Sequence, residues 1–138
     1  SQATDLTQSA AADSGKAAFE QAGIQPTDID LAQLYDCFSP ALLIQLEDLG
    51  FCEKGAGGAF LASGATQPGG KLPVNTHGGM LSHCHPGNPG AIFGLTEAIR
   101  QYRGEAKERQ LPHLEHTLLH AQGGIMSSHA TVVLGRAN

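Results

Sequence analysis

Three short clusters of this sequence carry side chains that could do chemistry. They are Tyr-Asp-Cys-Phe at residues 35–38, a histidine- and glycine-rich stretch at residues 77–87, and His-Ala-Gln-Gly-Gly at residues 120–124. The first offers a phenol, the second an imidazole, and the third a Gly-Gly turn whose N–H groups can face a developing oxyanion. Because ligands of α/β proteins bind at the carboxyl ends of strands, clusters that follow strands can converge there.

Each of these residues also has a purely structural interpretation. Tyr35 can be a half-buried core residue whose hydroxyl is satisfied, and His85 can cap a helix or bond a carbonyl. Gly123 and Gly124 fit any hairpin turn that needs positive φ. The cysteines are most simply small buried hydrophobic residues; they are Cys37, Cys52 and Cys84.

Seven histidines in 138 residues raise the question of a bound metal. His83 and His85 flank Cys84, but residues this close in sequence rarely share one tetrahedral ion, and no C-x₂-C or H-E-x-x-H spacing is present. The histidines at 113, 116 and 120 would share one face of a helix, yet residues 117–119 favour a strand. The sequence therefore predicts no metal site.

The first elements that must position the clusters are a helix and a strand. Apolar and small residues recur at helical spacing over residues 5–22, and Gly23 supplies a C-terminal stop. A short apolar stretch at residues 29–35 predicts a buried strand that ends at the first cluster.

A second helix and a long irregular region follow. Ser39 can cap a helix over residues 40–49, which Gly50 closes. Residues 51–75 are rich in glycine, and the strand-like piece at residues 59–62 is the one regular segment predicted there. A loop of this size inside a compact domain is usually functional.

The last third of the chain predicts a helix and two strands, with no internal repeat. The helix begins at Asn88 or Pro89, runs to residue 103 and ends at Gly104. Strands over residues 116–120 and 129–134 form an antiparallel pair joined across Gln122-Gly123-Gly124.

Composition limits the classes of function. A chain of 138 residues and 14.3 kDa has room for one domain. Its net charge of −5 without a basic cluster argues against nucleic acid as a partner, and no apolar run approaches the ~20 residues of a membrane span. Three cysteines without a CxxC pair indicate a reducing, cytoplasmic environment.

Several ordered motifs together resemble the C-terminal domain of thiolase-superfamily enzymes, from about Thr7 to Arg136. Tyr-Asp-Cys-Phe is followed by Val74-Asn75-x-x-Gly78-Gly79, then by His85-Pro86, a Gly-Gly turn and a terminal Val-Val-Leu strand. The stretch Glu-Asp-Leu-Gly-Phe-Cys at residues 47–52 is most similar to the lipid-transfer-protein or sterol-carrier-type thiolases, a group that includes thiolase-like aldolases of steroid side-chain breakdown.

The resemblance implies roles for particular residues. His85 stands where the histidine of the family's Gly-His-Pro motif activates a nucleophilic cysteine and polarises a thioester carbonyl, although Cys84 replaces the glycine. Tyr35 stands where other members have Asn or His, and resembles the acid/base tyrosine of the aldolases. His120 aligns with the cysteine of Cys-x-Gly-Gly-Gly, a position where the sterol-carrier branch has His-Asn; Ala121 here replaces the Asn.

Substrate binding and fold are also implied by the resemblance. Gly123 and Gly124 resemble the turn that offers backbone N–H groups to the thioester oxygen, and Gly79 is assigned to the same oxyanion and substrate-binding set. The implied fold is a three-layer α/β/α domain with a mixed sheet over residues 1–138, incomplete because the N-terminal thiolase half and the first strands of this domain are absent.

The expected function is the C-terminal part of an enzyme that makes or breaks a carbon–carbon bond in an acyl-CoA thioester, by thiolytic (Claisen) or retro-aldol chemistry, in lipid or steroid metabolism. Coenzyme A enters as part of the substrate, and no other cofactor is expected. The alternative is a non-catalytic module that binds acyl chains, lipids or a partner. The chain alone is expected to be inactive.

The resemblance also implies protein partners and a particular geometry of the site. The partners are the N-terminal half, a second copy in a homodimer, or the small oligonucleotide-binding-fold protein that accompanies related aldolases. Within the site, Tyr35 and His85 should converge, with the histidine stabilising a phenolate of lowered pKa, while Asp36 turns away to hold the loop.

Overall fold

The computed structural model describes residues 5–87, 89–124 and 126–136 and arranges them as helices on both faces of a small sheet. Single-turn 3₁₀ helices lie at Pro26–Asp28 and Lys107–Arg109. The other elements, in chain order, are α1 (Ala11–Ala22), β1 (Leu31–Gln33), α2 (Ser39–Asp48), α3 (Gly57–Ala62), α4 (Gly79–Ser82), α5 (Gly90–Arg103), β2 (His116–Gly123) and β3 (Ser128–Gly135).

The sheet is mixed, with the strands in the order β1-β2-β3. β1 runs parallel to β2, with Leu31 opposite Thr117, and β3 runs antiparallel to β2. A parallel bridge from Ala32 to Val74 continues the sheet on the far side of β1. Parallel neighbours need a long crossover, which the segment from α2 to α5 provides, and this confirms the α/β class with a mixed sheet.

Opposite faces of the sheet carry different helices. Ala32, Leu34 and Leu118 point into the main core, which α1 and α2 close with side chains such as Phe19 and Leu46. On the other face, a Cβ placed on Gly94 of α5 would lie 3.0 Å from Leu119 Cδ1, so this helix packs directly on β2. The three-layer α/β/α arrangement is therefore confirmed.

The first helix begins later than the sequence pattern indicates, at Ala11 rather than at residue 5. Ser9 is held outside the helix, because its N–H and its hydroxyl both donate to Asp48 Oδ2 at 2.7 Å. The C-terminal stop is as predicted, with Gly23 in the left-handed region at φ 70°.

The cap of the second helix is also displaced by one residue. Phe38 is the N-cap, Ser39 is the first helical residue, and no side chain caps this end. The prediction that Ser39 caps the helix is therefore wrong, whereas Gly50 follows its end at φ 79° as expected.

The predicted strand at residues 59–62 is wrong, because this segment belongs to helix α3. Glu47 Oε1 accepts the N–H of Gly57 at 3.0 Å and so caps the new helix from α2. Local sequence gives no sign of a cap that comes from ten residues away.

The C-terminal elements agree with the sequence analysis. α5 runs from Gly90 to Arg103 with Pro89 as its N-cap, and Gly104 ends it at φ 71°; Asn88, the other predicted start, lies outside the described residues. The hairpin is confirmed, but β2 extends through Gly123, so the turn follows that residue rather than spanning 122–124. No described helix is both long and apolar enough to cross a membrane.

Candidate active site

The three clusters meet where the parallel strands β1 and β2 end. Asp36 Oδ1 accepts the N–H of Met80 at 2.6 Å, which joins the first cluster to the second. Gln122 Nε2 donates to Cys37 Sγ at 3.1 Å, which joins the first cluster to the third. The carboxyl ends of parallel strands are where α/β proteins bind their ligands.

Tyr35 and His85 lie side by side in this region. The Tyr35 hydroxyl is 3.4 Å from His85 Nε2, and the two rings meet edge to face with centroids 5.7 Å apart. The N–H of Gly87 points at His85 Nδ1 from 3.4 Å. Since an N–H can only donate, Nδ1 accepts, and neutral His85 carries its proton on Nε2 and donates it to the Tyr35 oxygen. The phenol O–H then remains free to donate to a substrate.

Two side-chain amides, one of them fully buried, hold the backbone at Tyr35 and the residue before it. Gln45 Oε1 accepts the N–H of Tyr35 at 3.1 Å, and Gln45 Nε2 donates to the Tyr35 carbonyl at 2.7 Å. Asn75 makes the same pair of bonds to Leu34, at 2.8 and 2.9 Å. Asn75 belongs to one of the sequence motifs, whereas Gln45 looks like any polar residue of an amphipathic helix.

Replacing Gln45 with leucine is expected to lower the free energy of unfolding by about 2–4 kcal/mol. The substitution leaves the Tyr35 N–H and carbonyl without partners in a site where Gln45 is fully buried, and each unsatisfied buried group costs about 1–3 kcal/mol. Urea unfolding followed by circular dichroism measures the loss. Gln21→Leu, at an exposed position of α1, is the matched control. Equal urea midpoints for the two variants would show that the hydrogen bonds from Gln45 to the Tyr35 backbone do not stabilise the protein.

The expected phenolate is not supported by the environment of Tyr35. Burial raises the pKa of its hydroxyl above the ordinary value of 10.0, and the Cys37 thiol raises it further. The prediction of a lowered pKa is therefore wrong, because partial removal from water outweighs any help from His85. Near neutral pH Tyr35 is a neutral phenol that donates a hydrogen bond.

Gly79 packs closely against the loop of the first cluster in this structure. It is buried, adopts φ 63°, and lies so close to the Asp36 carboxylate that a Cβ would collide with Oδ2. The left-handed φ and the contact both require glycine. As expected, Asp36 turns away from Tyr35 to hold this loop.

Gly123 and Gly124 are exposed at the start of the β2–β3 turn. The N–H of Ser127 donates to the Gly123 carbonyl at 3.1 Å, and the Ser127 hydroxyl donates to the Gly124 carbonyl at 2.5 Å. Gln122, the preceding residue, ties this end of β2 to Cys37, two residues after Tyr35. The turn is thus anchored to the loop that carries the phenol.

His120 is not brought together with Tyr35 and His85 by hydrogen bonding. It is 1% exposed, and its ring nitrogens contact Thr131 Oγ1 at 2.8 Å and His129 Nδ1 at 3.0 Å. Thr131 in turn contacts Ser14 of α1, whereas Tyr35 packs on Gly90 of α5 on the other face. Tyr35 and His120 do border one cavity of about 10 Å³, room for a single water at most.

Burial also sets the charge of the histidines beside the site. It lowers the pKa of His120 to about 4, with a further contribution from His129, and it lowers the pKa of His77, whose ring nitrogens are buried without partners. Both rings are therefore neutral at pH 7. In the described parts of the chain, no three metal-ligating side chains come together.

Comparison with known proteins places these motifs in one family. Residues 1–136 match the family described as thiolase C-terminal domain-like. The chain is 43% identical to the 17-hydroxy-3-oxo-4-pregnene-20-carboxyl-CoA lyase of Mycobacterium tuberculosis over 83% of its own length and 28% of the lyase. It is 38% identical to the acetyl-CoA acetyltransferase of Methanothermobacter thermautotrophicus, over 96% of the chain and 35% of that protein.

Rabbit (Oryctolagus cuniculus) sterol carrier protein 2 is 40% identical over 76% of the chain and 19% of its own length. Among solved structures, a chain of the Ltp2-ChsH2(DUF35) aldolase superposes with a TM-score of 0.86 at 35% identity, over 97% of this chain and 34% of that one. The chain therefore spans between about a fifth and a third of the length of these proteins.

Proposed function

Because the chain belongs to the family of thiolase C-terminal domains, we propose that it is the C-terminal part of an enzyme that makes or breaks a carbon–carbon bond beside an acyl-CoA thioester. The observation that carries this proposal is the Tyr35 hydroxyl 3.4 Å from His85 Nε2 at the carboxyl end of β1. A phenol whose oxygen accepts from an imidazole N–H is suited to exchange a proton with a substrate hydroxyl.

The reaction that this pair fits best is retro-aldol cleavage of a β-hydroxyacyl-CoA. The β-hydroxyl gives up its proton, a carbonyl forms at Cβ, and the electrons of the Cα–Cβ bond move onto the thioester as an enolate, which is then protonated at Cα. The minor phenolate form of Tyr35 accepts the hydroxyl proton while His85 donates to the Tyr35 oxygen. The phenol formed in this step then gives the proton to Cα, which restores the phenolate. N–H groups at Gly123 and Gly124 would stabilise the enolate oxygen.

The identity of residue 35 favours the aldol reaction over thiolysis. In the thiolytic alternative His85 activates a cysteine of the N-terminal half, and Tyr35 has no proton to move. Relatives named as a lyase and as a steroid side-chain-cleaving aldolase support the first reaction, and an acetyltransferase and a thiolase subunit support the second. The names of the lyase and the aldolase point to a lipid- or steroid-like acyl group.

A second candidate is a module that binds acyl chains or lipids without catalysis. The relatives named sterol carrier protein 2 favour it. The free phenol O–H argues against it, because a site that only holds an acyl chain has no use for a polar pair at this position.

The proposed enzyme requires further protein. Ile92 and Ile99 of α5 are 60% and 41% exposed, and Val132 on the outermost described strand is 46% exposed. Such apolar surface is suited to association, and we assign it to the N-terminal half and to a second copy in a homodimer. The name Ltp2-ChsH2(DUF35) of the similar structure supports an additional small partner protein.

We also propose a cytoplasmic location for this enzyme. All three cysteines are free, which supports a reducing, cytoplasmic location. The proposed reaction needs no cofactor, because coenzyme A arrives as part of the substrate.

The assembled enzyme should cleave a β-hydroxyacyl-CoA in the absence of free coenzyme A, releasing a carbonyl compound and the shortened acyl-CoA. Liquid chromatography of the thioesters measures both products. Cleavage of a β-ketoacyl-CoA that depends on added coenzyme A would instead support thiolysis, and saturable binding without turnover would support the binding module.

A further inference from the structure

A chain of hydrogen bonds runs through the β2–β3 hairpin and ends at its turn. Thr131 Oγ1 lies 2.8 Å from His120 Nδ1, His120 Nε2 lies 3.0 Å from His129 Nδ1, and His129 Nε2 lies 3.3 Å from the Met126 carbonyl oxygen. Ser14 of α1 adds a contact of 2.9 Å to Thr131. This series of hydrogen bonds therefore connects helix α1 to the turn that follows Gly123.

When both rings are neutral, the Met126 carbonyl fixes the direction of all three bonds that the histidines make. A carbonyl oxygen can only accept, so His129 carries its proton on Nε2 and offers the Nδ1 lone pair to His120. His120 must then carry its own proton on Nε2, which leaves Nδ1 to accept from the Thr131 hydroxyl. Neutral rings satisfy all three bonds in this one arrangement.

The surroundings keep His120 in that neutral form. Burial lowers its pKa to about 4, the neighbouring His129 lowers it further, and Asp48 of α2 opposes the shift weakly. Ser14, the contact from α1, carries no charge. At pH 7 both nitrogens of His120 are therefore occupied within the protein and none is available to a substrate.

We propose that His129 and Thr131 are positioning residues, which fix His120 as the Nε2–H tautomer and thereby hold the turn that presents Gly123 and Gly124. The inference deepens the proposed function, on which its catalytic consequence rests. It replaces the acid/base role expected for His120 with an anchoring role. A shift of the turn would misplace the N–H donors toward the enolate oxygen, and displacements of about 1 Å can cost about 100-fold in rate.

The tautomer of His120 is measured directly by long-range ¹H–¹⁵N correlation NMR of the histidine rings of this protein at pH 7. We expect His120 to show a protonated Nε2 and an unprotonated Nδ1. A protonated Nδ1 or a charged ring in the wild-type spectrum overturns the proposal, whatever the variants do.

Variants then test the role of His129. His129→Leu removes the acceptor and should abolish the single-tautomer signature of His120, whereas His129→Asn keeps an acceptor oxygen close to the place of Nδ1 and should retain it. Thr131→Val, which tests the other nitrogen, should alter the Nδ1 resonance and keep the proton on Nε2. His113→Leu removes an exposed histidine elsewhere and is the control that should change neither spectrum nor rate.

In the assembled enzyme, His129→Leu should lower kcat more than it changes KM, and His129→Asn should restore kcat. An unchanged His120 spectrum in His129→Leu, or an unchanged kcat, overturns the positioning role. Failure of the proposed function is separate, because it appears as wild-type enzyme without carbon–carbon cleavage and leaves the tautomer measurement valid.

Discussion

Tyr35→Phe should reduce kcat for cleavage of a β-hydroxyacyl-CoA by about 10²–10⁴-fold, the usual contribution of general acid–base catalysis. The variant keeps the ring that packs on Gly90 and removes only the oxygen 3.4 Å from His85. Steady-state kinetics of the assembled enzyme measure the loss.

The pH dependence of the same variant gives an independent result. The pKa of Tyr35 is raised by burial, so the phenolate that must accept a proton in the cleavage direction is a minor form at neutral pH. Its fraction grows about tenfold per pH unit below the pKa. Wild-type kcat/KM for cleavage should therefore rise with pH up to at least pH 9, and the rise should disappear in Tyr35→Phe.

The control is the same chemical change at the second tyrosine. Tyr102 Oη contacts the Leu134 and Glu115 carbonyls at 2.7 and 3.1 Å, so Tyr102→Phe should lower thermal stability and leave kcat unchanged. Full activity of Tyr35→Phe would remove the phenol from the mechanism and return the thiolytic reaction to first place.

His85→Ala should lower kcat by about 10²–10³-fold, the cost of removing one preorganised donor from a charge-stabilising site. The reason is the Nε2–H, which the Gly87 N–H at Nδ1 assigns to the contact with the Tyr35 oxygen. His85→Gln offers an amide N–H close to the place of Nε2 and should recover part of the loss.

His83 provides the matched control for this prediction. It is exposed, two residues away, and its ring contacts are with His77 and Phe93. His83→Ala should leave turnover near the wild-type value. Equal losses in the two alanine variants would indicate a general effect on the loop rather than a role of His85 in the reaction.

The sequence predicts those parts of the fold that depend on local signals. Gly23 and Gly104 end their helices in the left-handed conformation, and the alternating pattern of the last strands yields the hairpin. The helix α3 is missed because its cap, Glu47, comes from another helix. Long-range caps leave no trace in the segment that they stabilise.

The candidate site is predictable in its contacts and less so in its chemistry. Motif order suffices to bring Tyr35 beside His85, but the raised pKa of the phenol depends on how much protein surrounds it, which spacing does not encode. The position of His120 could have been predicted from strand alternation, which places it on the opposite face of the sheet from Leu119 and therefore away from α5. The motif resemblance places it in the site instead.

The central claim is that Tyr35 and His85 act as one unit on the hydroxyl proton, and a double-mutant cycle tests it most directly. Residues that act as a unit are strongly non-additive. The measurement is kcat/KM for β-hydroxyacyl-CoA cleavage by the wild type, Tyr35→Phe, His85→Ala and the double variant. We predict that the double variant loses no more than the more damaging single variant. Losses that multiply would show that the two side chains act independently and would contradict the account.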